Sequence, residues 1–192
     1  MGIILIAGIL RFVNWLTPPV DPPLLVQADG MVRIVDLADT RLSTAFKNLL
    51  PKETFGGSVR IIGLYPNGAS NLTKNSISVV YEREGWRMMQ VDLIPNTTLV
   101  DTLGPLNNYQ QDLVLLPGGR EAKMVNIKLF LDCLKANTKD GIGSCDFTRV
   151  LVFEIEPNLI GRITVDGDKV TDGELIEIAR AMVKSIDEVK AQ

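Results

Sequence analysis

The pattern of apolar and polar positions is most regular in the last third of the chain, from Arg149 to Val189. Residues 150–155 and 163–165 are short runs rich in β-branched side chains, and the turn-forming residues 156–158 separate them. Valine and isoleucine fit the pleated surface of a sheet, whereas proline and asparagine favour turns. This segment therefore predicts two strands joined by a turn.

Beyond the second of these runs, the apolar residues recur at the spacing of a helix. The apolar stripe consists of Leu175, Ile178, Ala179, Met182, Val183, Ile186 and Val189. We expect Thr171 to cap the first turn, and Glu174 to complete a capping box by accepting the backbone N–H of Thr171. The sequence thus predicts an amphipathic helix over 172–189 that packs one face on a sheet.

Short apolar runs earlier in the chain predict further strands. They lie at Met31–Val35, Val59–Tyr65, Ile77–Tyr81, Trp86–Ile94, Leu113–Leu116 and Ala122–Leu131. A second amphipathic helix is predicted over 39–50, with Asp36 or Asp39 as its cap. Pro51 ends that helix, and 96–110 is expected to be a loop. The predicted fold class is α+β: an antiparallel sheet of about six strands with two helices packed on one face.

The predicted hairpin of 77–81 and 86–94 has a charged tip with one tryptophan. Alternation places Trp86, Met88, Gln90 and Asp92 on one side of its second strand and Arg87, Met89, Val91 and Leu93 on the other. Tryptophan and arginine dominate the energetics of protein interfaces, so Trp86, Arg83 and Arg87 are candidate partner-binding residues. The alternative is that Trp86 caps the core while the charged residues face water.

The chain begins with an apolar segment, residues 1–16, which a proline-rich segment, 17–30, follows. The apolar run is shorter than the about 20 residues that cross a bilayer, and it lacks the basic start and cleavage site of a secretory signal. We expect a membrane anchor, with a signal segment or a buried N-terminal helix as alternatives. The prolines predict a semi-rigid spacer or a surface loop, which leaves 31–192 as a single α+β domain.

Charge and composition remove several classes of function. The formal net charge is −3 and the pI about 5.1, with the basic residues scattered, so no nucleic-acid partner is expected. The chain has no histidine, which excludes Ser-His and Cys-His catalysis and imidazole metal ligands. We predict no catalytic residues and no cofactor. A carboxylate-dependent hydrolase is the enzymatic alternative, with its acids among Asp92, Glu154 and Glu156.

The two cysteines of the chain, Cys133 and Cys145, flank a polar, glycine-containing segment. Their placement predicts a disulfide, which for a short loop stabilises a fold by about 3 kcal/mol on the chain-entropy model. A disulfide implies an oxidising compartment. Two reduced, partly buried thiols are the alternative.

Residues 166–174 are rich in aspartate and have the look of a calcium loop. The positions that such a loop requires for ligands and for its central glycine carry Val170 and Thr171 instead. We therefore interpret the segment as a polar turn that leads into the cap of the last helix, and we predict no metal ligands.

One family resemblance emerges from these elements. Its features are Leu50-Pro51 before the strands, the 77–81 strand with a return ending near Gln90, and the segment 163–180, whose helix opens on Glu174-Leu175 and continues to Ile178-Ala179. In this order the chain resembles an extracytoplasmic domain of unknown function found in membrane-anchored bacterial proteins of the anti-sigma type. Its strand-then-helix ending is also similar to that of a photosystem-associated or nuclear-transport-factor-binding α/β sandwich.

The resemblance implies a non-enzymatic binding or sensing domain that is presented outside a membrane. Together with the apolar segment at 1–16, it predicts a membrane-associated chain whose globular part is extracytoplasmic and contacts a protein partner. A structural subunit of a membrane complex is the main alternative, and the hydrolase described above is the other.

Overall fold

A computed structural model describes residues 30–51, 54–69, 72–84, 86–128, 147–166 and 170–190. Within these residues the chain forms eight strands, three α-helices and two short 3₁₀ turns. The strands are β1 (Val32–Ile34), β2 (Ser58–Tyr65), β3 (Ser76–Arg83), β4 (Trp86–Pro95), β5 (Gln111–Leu115), β6 (Glu121–Lys128), β7 (Phe147–Glu156) and β8 (Leu159–Asp166). The helices are α1 (Thr44–Leu49), α2 (Leu99–Leu103) and α3 (Asp172–Lys190), and the 3₁₀ turns are Gly104–Leu106 and Pro117–Gly119.

All eight described strands form one antiparallel sheet in the order β1-β2-β3-β4-β8-β7-β6-β5. The sheet therefore consists of two meanders, β1 to β4 and β5 to β8, whose last strands pair with each other. The α+β class and the antiparallel sheet are confirmed. The predicted count of about six strands was too low, because all eight runs predicted as strands lie in the one described sheet.

The β3–β4 hairpin follows the predicted alternation along most of its length. Met89, Val91 and Leu93 are buried in the same core cluster, whereas Gln90 and Asp92 lie on the opposite face. Met88 departs from the prediction, because the register shifts between Tyr81 and Glu82 and leaves Met88 as the extra residue of a bulge. Its side chain is consequently buried in the cluster that the alternation assigned to the other side.

The first helix is shorter than the sequence predicts. It was expected over 39–50, but α1 begins after Ser43, whose hydroxyl accepts the N–H of Phe46 at 3.3 Å. Asp39 does not cap it, because its carboxylate accepts the backbone N–H of Arg41 at 2.9 Å and pairs with that side chain at 2.6 Å. This local arrangement competes with helix formation. The hydrogen bond to the guanidinium lowers the pKa of Asp39 to about 2.

The helices α1 and α3 cover one face of the sheet, as predicted. Five residues of the α3 stripe are fully buried there: Leu175, Ile178, Ala179, Met182 and Val183. Leu42 and Leu50, which flank α1, join the same cluster. The opposite face is covered in part by α2, a helix within the segment 96–110 that was predicted to be a loop. Thr98 caps α2 by accepting the N–H of Asp101 at 3.2 Å, and Leu103 packs with Ile94 and Ile160. The predicted arrangement of two helices on one face is therefore correct for that face, but it omits the helix on the opposite face.

Gly161 creates space within the helix-covered face. A Cβ at this position would lie 2.8 Å from Phe153 Cζ and 3.0 Å from Ile155 Cδ1. The absence of a side chain thus lets the Phe153 ring lie across β8, where it is fully buried.

The start of α3 has the predicted capping box. Glu174 Oε2 accepts the N–H of Thr171 at 2.8 Å, and Thr171 Oγ1 accepts the N–H of Glu174 at 3.2 Å. The hydrogen bond from the Thr171 backbone, aided by the Thr171 hydroxyl, lowers the pKa of Glu174. Since a carboxyl with a lowered pKa stabilises the folded state only while it is ionised, this contribution disappears as the pH falls through the folded-state pKa.

We expect Thr171→Ala to lower the free energy of unfolding by about 1 kcal/mol, because it removes one half of this box. Glu174→Ala should also destabilise the domain at neutral pH, and its effect should shrink in acid below about pH 4. Urea unfolding as a function of pH measures both. Thr171→Ser keeps the hydroxyl and is the matched control. An undiminished effect of Glu174→Ala in acid would contradict the assigned role of the carboxylate.

Candidate binding surface

The predicted partner-binding residues lie at the turn between β3 and β4. In the register of the sheet Arg83 pairs with Trp86 and Glu82 pairs with Arg87. Arg83 is half-buried, and its Nη1 donates to the carbonyl oxygen of Phe55 at 3.2 Å. That side chain therefore links the hairpin to the loop before β2. The side chains of Trp86 and Arg87 lie outside the described part of the structure, so their role in partner binding stays a prediction.

Two further predictions concern residues outside the described ranges. The first is the membrane anchor at 1–16, together with most of the spacer at 17–30. The second is the disulfide between Cys133 and Cys145. None of the helices in the described ranges is long and apolar enough to span a bilayer.

The aspartate-rich segment before α3 uses its described side chains for structure. Arg149 Nε pairs with Asp172 at 2.8 Å, and Arg149 Nη1 donates to the carbonyl oxygen of Val170 at 3.1 Å. Thr171 and Glu174 form the capping box. The described residues of this segment thus hold the start of α3 against β7. In the described ranges no group of three or more Cys, Asp or Glu residues is arranged to hold a metal ion.

A buried polar cluster lies near the middle of the sheet, on the face opposite α1 and α3. Asp92 is fully buried, and its Oδ1 accepts hydrogen bonds from Ser78 Oγ at 2.5 Å and from Gln90 Nε2 at 2.8 Å. Its Oδ2 accepts from Arg162 Nε at 2.8 Å, and the Arg162 side chain is only 12% exposed. Three donors, one of them charged, therefore compensate the buried carboxylate.

The strand register brings this cluster together. Ser78 lies opposite Asp92, and Asp92 lies opposite Arg162, so the three side chains form a row across β3, β4 and β8. Alternation correctly placed Asp92 beside Gln90. It could not identify Arg162, because the two members of the ion pair are 70 residues apart in the chain.

Tyr65 lies beside this row and is 1% exposed. In the described structure the Tyr65 hydroxyl forms no hydrogen bond, although Ser78 and Asp92 lie near it. Burial and the negative charge of Asp92 raise the pKa of Tyr65, and the nearby Ser78 hydroxyl opposes this shift. The phenol therefore stays neutral and adds bulk rather than charge to the cluster.

The three candidate acids of the hydrolase hypothesis are not grouped in one cleft. Asp92 belongs to the buried cluster. Glu154 and Glu156 line a cavity of about 470 Å³ at one end of the sheet. The other lining residues are Leu99, Gly119, Arg120, Glu121, Ile155 and Pro157. Arg120 is held at this cavity by an ion pair with Asp187 of α3, at 2.7 Å.

An apolar edge lies beside this cavity. β5 is the last strand of the sheet, and among the described strands it pairs only with β6. Leu113 and Leu115, on the same side of β5, are 55% and 62% exposed. The sequence predicted a strand over 113–116, close to the observed bounds, but it made no prediction about which side of that strand is covered. The exposure of one side follows from the position of β5 at the edge, which local spacing does not determine.

Comparison of the chain with protein-family models, with curated proteins and with solved structures gives no match. A function is therefore proposed from the geometry and chemistry of the described surface.

Arg162→Met should lower the free energy of unfolding by about 3–5 kcal/mol, because it leaves the buried Asp92 carboxylate without its charged partner. Adding Asp92→Asn to that variant should recover part of the loss. Chemical denaturation measures these differences. Arg120→Met breaks a more exposed ion pair and should cost no more than about 1 kcal/mol. Equal losses from Arg162→Met and Arg120→Met would show that the buried pair has no special weight.

Proposed function

We propose that this chain is a non-enzymatic protein-binding domain, held outside a membrane through residues 1–16, that binds its partner along the β5 edge. The observation that carries this proposal is the exposure of Leu113 and Leu115 on that edge. A partner strand that pairs with β5 would place its own side chains beside both leucines and bond to the backbone groups on the outer side of β5. This mode of recognition, the addition of a strand to a sheet edge, is widespread.

The two edges of the described sheet differ in a way that supports this choice. β1 is three residues long and carries the exposed Arg33. Short strands and charged side chains are the devices by which proteins discourage pairing at an edge. β5 is five residues long, contains no basic residue and exposes two leucines. Of the two edges, β5 is thus the one suited to strand addition.

The tether is supported by the sequence. The apolar segment 1–16 precedes four prolines within 17–30, which favour an extended spacer. The resemblance to membrane-anchored extracytoplasmic domains of the anti-sigma type agrees with that order. A domain held in this way is limited to partners near the membrane, which raises their effective concentration.

The tether is tested by fractionating bacterial cells that produce the full chain. We expect the chain in the membrane fraction after alkaline extraction, with the domain accessible to protease from the extracytoplasmic side. Deletion of residues 1–16 should release it. Electrophoresis without reductant should show a faster band that Cys133→Ser and Cys145→Ser each abolish. A full-length chain in the soluble cytoplasm with both thiols reduced would contradict the proposal.

Partner binding at β5 is tested with a photo-reactive amino acid at Leu115 of the full chain, in cells. We expect a cross-linked adduct of defined mass. In the double variant Leu113→Asn/Leu115→Asn the photo-reactive residue is moved to Gln111, and this variant should no longer give the adduct. Both leucines are exposed, so this variant should change the free energy of unfolding by no more than about 0.5 kcal/mol per residue.

The matched control places the photo-reactive residue at Val35, which is 69% exposed and follows β1 at the other edge. Equal adducts from Val35 and Leu115 would contradict a specific edge. A partner protein that co-purifies at fixed stoichiometry with the chain without cross-linking would instead favour a structural subunit of a membrane complex.

A further inference from the structure

We infer that the segment recognised by β5 belongs to another protein, is extended and apolar, and carries a lysine or arginine at the end that lies beside Leu115. This inference rests on the proposed function and names the chemistry of its partner. It follows from the pair Glu121 and Glu154, two exposed carboxylates that line the cavity beside the edge.

The sheet register places these carboxylates next to each other. Leu115 lies opposite Glu121, and the pairing of Ala122 with Phe153 brings Glu121 opposite Glu154. Cross-strand neighbours share a face, so Leu115, Glu121 and Glu154 form a row from the edge inward. Like charges at directly opposite positions destabilise a sheet. The isolated domain therefore bears a repulsion that a cation from a partner would relieve.

The described basic residues nearest to this row form no ion pair with Glu121 or Glu154. Arg120 lines the same cavity, but Nη1 and Nη2 bind the two carboxylate oxygens of Asp187 at 3.0 and 2.7 Å. Lys123 lies two residues from Glu121 on the same face, and it forms no ion pair with either glutamate in the described structure. The carboxylates of Glu121 and Glu154 are thus available to a cation from outside.

The distance from an added strand fits a long basic side chain. Neighbouring strands lie about 4.8 Å apart, so a strand paired with β5 runs about 10 Å from β6, which carries Glu121. A lysine or arginine can lay its aliphatic stem over Leu115 and place its charged end at the carboxylate. The leucines then supply apolar contact, and the glutamates select the charge and orientation of the segment.

A second copy of this chain fits less well. Pairing of β5 with its own copy would offer Gln111, Asp112 and three apolar residues, and none of them is basic. The formal net charge of −3 also disfavours self-association at an acidic row. Self-pairing at this edge is therefore an outcome that the test has to distinguish.

The test measures the binding of three short synthetic peptides to the full chain in detergent. The peptides are identical except at the position that lies beside Leu115, where they carry lysine, glutamine or glutamate. We expect the lysine peptide to bind about tenfold more tightly than the glutamate peptide, with a difference that shrinks at high salt. Glu121→Lys/Glu154→Lys should reverse the order. Glu84→Lys/Glu177→Lys, at two exposed sites elsewhere, changes the net charge equally and should leave the order intact.

Stability gives a second readout. Glu154→Gln should raise the midpoint of thermal unfolding by about 1–2 °C without peptide, because it removes the repulsion. If all three peptides bind equally and Leu113→Asn/Leu115→Asn abolishes that binding, the inference about the basic residue is wrong, but β5 remains the binding edge. Binding of none would count against both. A cross-link from Leu115 to a second copy or within the same chain would overturn the inference.

Discussion

The ion pair of Asp92 and Arg162 joins the two halves of this molecule. Each half is a meander of four strands, and the only strand pairing between the halves is that of β4 with β8 in the described sheet. The carboxylate is fully buried at that junction and accepts hydrogen bonds from one neighbour in its own strand and one in β3 as well. Because a buried charge is costly unless it is paired, the pair ties the stability of each half to the presence of the other.

The helices and the edges follow from this arrangement. With β4 and β8 at the centre, β1 and β5 become the two outer strands, and α3 can reach across from the second half to contact α1 in the first. The second half thereby ends in the five-residue β5, which exposes two leucines, whereas the first half ends in the three-residue β1, which exposes an arginine. The asymmetry of the two edges is the basis for placing a partner at β5.

Local patterns predicted a large part of the fold. The β7–β8 turn, α3 and its capping box were correct, because their signals lie within a few residues of one another: proline and asparagine in the turn, the 3.6-residue stripe, and the Thr171–Glu174 pair. The extent of α1 was wrong, because Asp39 is bonded to Arg41 rather than capping a helix. The helix α2 was missed although Thr98 and Asp101 signal a start, since five residues are too few for a periodic pattern.

The candidate site depends on pairings that no local pattern contains. Neither Arg162 as the partner of Asp92 nor Glu154 as the neighbour of Glu121 could be identified without the strand register. The same limit applies to Leu113 and Leu115, whose exposure depends on which strand ends the sheet. Alternation predicts which residues share a face of a strand, but it does not predict which strand lies beside it.

The position of Asp92 also has a consequence for folding. Until β8 pairs with it, β4 is the outer strand of the first meander, and the counterion of Asp92 lies 70 residues further along the chain. An unpaired strand of this kind can associate with other nascent chains. A carboxylate on the inner surface of that temporary edge disfavours such association, since a foreign strand would bury the charge without a counterion. We therefore expect the residue that stabilises the completed sheet to disfavour strand addition to the incomplete one.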